Sequence, residues 1–205
     1  MMRVIPSSSS GGSASPCHTP GLEAAVEDLP IQQTPLVGIL DLANRMEKTV
    51  KTIPLSKCPL LKDRKIVLFI EDGSMPIRIF AANFNREISK DDAAAWTREV
   101  TVLLVDNHED AIAVLNERMA QVVLIFADCE FPRSKGGSVV GNQGVCTVQQ
   151  IREKWPKPPR IVSYSSHGKE DLIELGATDR LFDGILGKNP VEAVKMIGEE
   201  AERRR

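Results

Sequence analysis

Residues 121–132 read QVVLIFADCEFP, an apolar run from Val122 to Ala127 that stops on Asp128. The run is too short for a helix and does not alternate apolar with polar, so it fits a parallel strand covered on both faces. Lys65–Glu71 (KIVLFIE), Glu99–Val105 (EVTVLLV) and Arg160–Ser165 (RIVSYS) have the same character. Gly184–Gly187 is taken as a fifth strand mainly from its position. Amphipathic stretches near 75–87, 108–119, 144–154, 168–181 and 190–204 read as helices between and after these strands. Five βα units in succession predict an α/β fold, a doubly wound five-stranded parallel sheet with helices on both faces. No internal repeat is visible.

Upstream the pattern changes. Residues 1–27 are rich in Ser, Gly and Pro, carry little large apolar content, and are expected to form a disordered tail. Within 28–62, Leu36 to Val50 (LVGILDLANRMEKTV) places apolar residues at helical spacing between Pro35 and Pro54 and reads as one helix. Thr52–Lys62, with Pro54 and Pro59, reads as a linker, and the domain proper is expected over 63–205. The 205-residue chain balances 26 Lys+Arg against 28 Asp+Glu, which leaves no electrostatic footprint for nucleic acid or an anionic membrane. No apolar run approaches the roughly 18 residues of a membrane span, and the start shows no secretory signal. Cys17, Cys58, Cys129 and Cys146 form no CxxC pair, so a reducing cytoplasmic (or nuclear) setting is expected, without a zinc site. Cys129 and Cys146 read as packing thiols, and His18 and His108 as surface residues.

In open α/β sheets ligands bind at the carboxyl ends of the strands, where strand order reverses. Those ends carry Glu71 and Asp72 after the first strand, Asp128 after the third, Ser165-Ser166 at the fourth and Lys188 after the fifth. With strand order 2-1-3-4-5 the first and third strands are neighbours, and the three carboxylates converge. Each close like-charge pair would cost on the order of 4 kcal/mol at about 4 Å in an effective dielectric of 20. A cation relieves that cost, and an all-oxygen set with room for water suits Mg²⁺.

These residues make 63–203 resemble a response-regulator receiver domain of the hybrid histidine kinase type, with the flavodoxin-like order 2-1-3-4-5. Glu71 and Asp72 match the family's metal-holding acidic pair, and Asp128 its phosphoacceptor, with Phe131 where Met is usual. Ser165-Ser166 matches the Thr/Ser followed by a small residue, and Lys188 the family's lysine. Asn107 to Ala111 is similar to the turn after the second strand, and Gly144 with Ile151-Arg152 to marks of the third helix. The resemblance implies that Mg²⁺ sits on Glu71, Asp72, Asp128 and the backbone carbonyl of Glu130. It implies a phosphoryl group passed to Asp128 from a histidine kinase or histidine phosphotransfer protein, with Ser165 and Lys188 contacting it. The chain would then be a switch with a downstream protein partner rather than a turnover enzyme.

Several residues depart from that pattern. Arg133 to Gln143 lengthens the connection after Asp128, Asn189 separates Lys188 from Pro190, and Ile185 stands where an aromatic is usual. Glu130 and His167 occupy positions that, by the resemblance, influence the lifetime of the phosphoryl group. PIQQTPLVGILDLA, 30–43, is similar to a histidine-kinase H-box in which Pro30 replaces the His and Ile31 the acidic residue. An apolar stripe on a helix over 36–50 would favour self-association. A pseudo-receiver, a binding module that signals without phosphorylation, is the alternative. A Mg²⁺-dependent phosphatase is disfavoured, because no Asp-x-Asp pair or P-loop is present.

Overall fold

A computed structural model of the chain describes residues 36–40, 51–55, 64–90, 96, 99–178 and 180–203. The expected tail over 1–27 and the expected H-box positions 30–35 lie outside the described residues. Two strands come first, β1 (Leu36–Leu40) and β2 (Lys51–Pro54). Then follow β3 (Lys65–Ile70), α1 (Ser74–Lys90), β4 (Val100–Val105) and α2 (His108–Arg118). β5 (Val122–Ala127) leads to two short strands, β6 (Phe131–Pro132) and β7 (Val139–Val140), and then to α3 (Gln143–Lys154). The chain continues through β8 (Arg160–Ser163), α4 (Lys169–Glu174), β9 (Gly184–Ile185) and α5 (Pro190–Arg203).

The main sheet runs β2-β1-β4-β3-β5-β8-β9. β4, β3, β5, β8 and β9 are parallel to one another, which is the expected order 2-1-3-4-5. β4 and β5 are buried from end to end, as continuous apolar runs require when both faces are covered. On one face Phe69, Phe126 and Tyr164 pack with Phe80 of α1 and with Ala193 and Ile197 of α5. On the other, Leu68, Ile125 and Ile161 meet Val114 of α2, Val148 of α3 and Leu172 of α4. Fully burying such a side chain is worth about 1.5–3 kcal/mol, so the two layers hold the strands in one register.

The segment expected to be a helix over 36–50 is a correction. Leu36–Leu40 forms β1, which pairs antiparallel with β2 on one side and with β4 on the other, and 41–50 lies outside the described residues. LVGIL carries β-branched Val37 and Ile39 and a Gly38 that weakens a helix interior by about 1 kcal/mol. The edge of β4 offers unpaired backbone groups, and pairing satisfies them. The helix through which self-association and the H-box likeness were expected does not form over 36–40. Thr52–Pro54, expected to begin a linker, belongs to β2 (Lys51–Pro54), and the following Leu55 is fully buried.

Three further details differ from expectation. Residues 133–143 do not form a featureless loop, because β6 and β7 pair antiparallel around Gly136, whose φ of 74° suits a residue without Cβ. α4 stops at Glu174 rather than near 181, since Gly176 takes φ 95° while its N–H and that of Ala177 close on Ile173 and Leu172. Cys146, expected to be a packing thiol, is disulfide-bonded, whereas Cys129 is a buried free thiol.

Candidate functional site

Backbone register brings the strand ends level. Ile70 lies opposite Val105 on one side and Ala127 on the other, and Ala127 lies opposite Ser163. The ladder continues one step beyond the strands: Glu71 N–H donates to Val105, Asp128 N–H to Ile70 and Tyr164 N–H to Ala127. Glu71 and Asp128 therefore leave adjacent strands side by side, 1% and 6% exposed. Carboxylate oxygens of Glu71, Asp72 and Asp128 lie within 4.8 Å of one another.

Lys188 reaches into this cluster from the far side. Its Nζ donates to Glu71 Oε2 and to Asp128 Oδ2, both at 2.9 Å. Gly187 before it has φ 55°, a left-handed turn that glycine tolerates. The departure at Asn189 has a local reason. Its Oδ1 accepts from the N–H groups of Val191 and Glu192, so it caps α5, and Pro190 takes the first helical position.

Two glycines let the backbone close around the acids. Glu71 Oε1 accepts from Gly73 N–H at 3.0 Å, and a Cβ on Gly73 would stand 2.8 Å from that oxygen. Gly144, at the start of α3, donates its N–H to the Cys129 carbonyl at 2.9 Å. A Cβ there would collide with the Asp128 carbonyl oxygen and come within 2.7 Å of Cys129 Cα. Asp128 Oδ1 accepts from Cys129 N–H at 2.6 Å.

Burial pushes the Glu71 carboxyl up to about 7, against the hydrogen bond from Lys188 and together with the charge of Asp128. Asp72 is raised as well, by burial first and then by Asp128 and Asp106. For Lys188 burial works downward, but its bonds to Asp128 and Glu71 outweigh it and the pKa is raised. The cluster is thus three acids sharing one ammonium, an electron-rich oxygen set with the chemistry of a hard divalent cation.

A second group of residues borders it. Ser165, 1% exposed, shares a hydrogen bond of 2.8 Å with His167 Nδ1 and accepts from the His167 backbone N–H at 3.3 Å. The neighbouring Cys129 thiol lies 3.9 Å from the hydroxyl of Ser163. Glu130 turns its carboxylate toward His167, with Oε1 4.0 Å from Nε2. Ile185 is 42% exposed on β9, away from the buried layers.

The structure brings Glu71, Asp72, Asp128 and Lys188 into one cluster and links Ser165 and Glu130 through His167. Sequence reasoning passed over Asp106, whose charge reaches Asp72, although its place at the end of β4 was a usable signal. His108, expected at the surface, is half-buried with Nδ1 2.9 Å from Thr147 Oγ1, and burial followed by the charge of Arg133 lowers its pKa. No helix among the described residues is long and apolar enough to cross a membrane.

No family model matches the chain, and no curated protein does. Solved structures similar in fold include response-regulator receiver domains. One is a two-component response regulator from Legionella pneumophila, with 14% identity, covering 68% of this chain and 99% of that one, at a TM-score of 0.49. Another is the receiver domain of Ssk1 from Saccharomyces cerevisiae, crystallised with the histidine phosphotransfer protein Ypd1, with 19% identity over 69% and 92% of the chains and a TM-score of 0.46. The receiver domain of the histidine kinase CKI1 from Arabidopsis thaliana is 19% identical over 70% and 94%, with a TM-score of 0.45.

Proposed function

We propose that the chain is a phosphorelay receiver in which Asp128 accepts a phosphoryl group from a phosphohistidine of a histidine kinase or a histidine phosphotransfer protein. The observation that carries this reading is the buried cluster itself, where Lys188 Nζ touches Glu71 and Asp128 and three carboxylates lie within 4.8 Å. Glu71, Asp72, Asp128 and the backbone carbonyl of Glu130 are the residues that would hold Mg²⁺. When bound, the ion would offset the carboxylate charge and stabilise the charge on phosphoryl oxygens.

The chain's own residues do the rest. A carboxylate oxygen of Asp128 forms the bond to phosphorus as the N–P bond of the donor breaks, and the electron pair stays on the departing imidazole. Lys188, already within hydrogen-bond distance of Asp128, follows the new negative charge and offers it N–H donors. Ser165 supplies a hydroxyl on the other side. The outcome is a change in the loop after β8, read by a protein partner, and self-catalysed phosphotransfer with slow hydrolysis rather than turnover of a substrate.

Full-length protein given acetyl phosphate and Mg²⁺ should gain one phosphoryl group by intact mass, and Asp128→Asn should gain none. The pseudo-receiver reading has one observation in its favour: Lys188 pairs with both Glu71 and Asp128 and so offsets part of the cluster's charge. A wild-type chain that neither binds Mg²⁺ nor takes a phosphoryl group would establish that reading instead.

A further inference from the structure

Ser165 is buried, and its hydroxyl is turned to the His167 imidazole. A hydroxyl has one proton to donate. Ser165 Oγ accepts from the His167 backbone N–H at 3.3 Å and lies 2.8 Å from His167 Nδ1, to which it donates when that nitrogen carries no proton. The Glu130 carboxylate, 4.0 Å from Nε2, favours the tautomer with the ring proton on Nε2, and that leaves Nδ1 to accept from Ser165. The three side chains come from two loops, one following β5 and one following β8, and together they tie those loops to each other.

We propose that His167, oriented by Glu130, is a positioning residue that latches Ser165 away from Asp128. This inference rests on the reading of Asp128 as phosphoacceptor. A phosphoryl group on Asp128 can receive the Ser165 proton only after the bond to His167 is given up. The latch therefore sets how much of the protein stays in the unswitched arrangement, and it acts through Ser165 alone.

Full-length protein titrated with beryllofluoride, a phosphoryl mimic, in saturating Mg²⁺ separates the two levels of the argument. Wild type that binds none overturns the phosphoacceptor reading and the latch with it. Where wild type binds, His167→Ala should bind about two- to tenfold more tightly, the range of one net hydrogen bond. His167→Asn, whose amide oxygen can take the place of Nδ1, should return to near the wild-type affinity. In a Ser165→Ala background His167→Ala should have no effect. Unchanged or weaker binding by His167→Ala, or the same gain without Ser165, overturns the latch. The imidazole nitrogen spectrum of the wild type gives a check that needs no variant. The Nδ1 signal should move when beryllofluoride saturates the protein, and a signal that stays in place overturns the proposal.

Discussion

The two halves of the candidate site are held by different physics. On the acid side, Lys188 bridges Glu71 and Asp128 at 2.9 Å each, burial raises Glu71 and Asp72, and the bonds to the acids outweigh burial at Lys188. On the hydroxyl side, Ser165 and His167 share a hydrogen bond of 2.8 Å, with Glu130 beyond at 4.0 Å and half exposed. The first arrangement is expensive to break and responds to protons and cations. The second is cheap to break and suits a part that must move. Placing the two side by side gives a rigid acceptor next to a movable reporter.

The largest test of that contrast is Lys188→Met. It leaves two buried carboxylates facing one another, so metal-free urea denaturation near pH 8 should show a loss of about 3 kcal/mol. Near pH 5, where Glu71 takes up a proton, most of that loss should disappear. A loss of equal size at both pH values would break the comparison.

A second test uses the wild type's own titration. The folded pKa of Glu71, about 7, lies above its ordinary 4.5, so the folded chain holds this proton more tightly than the unfolded chain. Stability from this group is full below the lower value, falls as pH rises between the two, and is gone above the upper one, a change of about 3 kcal/mol. Glu71→Gln does not titrate. Its metal-free stability relative to wild type should therefore rise across that window, and a flat difference would mean that Glu71 is not held protonated.

Smaller effects belong to the neutral side and to the neighbouring cap. Ser165→Ala should cost about 1 kcal/mol, the same near pH 7 and pH 9, because no charge is uncovered. Asn107, fully buried, accepts from Asp110 N–H at 2.9 Å as the cap of α2. Asn107→Ala should likewise lower stability by about 1 kcal/mol while leaving Mg²⁺ affinity unchanged, as measured by calorimetric titration. A fall in that affinity would extend the acid side into the β4–α2 turn.

The parallel sheet was legible because its strands are uninterrupted apolar runs of β length, a pattern that only burial on both faces explains. The acids were legible because Glu71 and Asp128 stand at the first position after such a run and Asp72 at the second. Gly73 and Gly144 could be seen but not understood, since the need for a missing Cβ arises only when Glu71 Oε1 and the Asp128 carbonyl come close. LVGIL was misread for a related reason: five residues with apolar positions three and four apart satisfy either period, and the free edge of β4 decided between them.

By itself, then, the sequence determined the succession of βα units and which side chains stand at the strand ends, because strand burial is written in local composition. Tertiary structure alone decided that 36–40 completes an edge, that 131–140 folds back into a hairpin, and that Ser165 faces His167. The edge depends on a partner distant in sequence, the hairpin on a backbone pairing and the serine on the aim of its side chain, none of which a hydrophobic pattern displays.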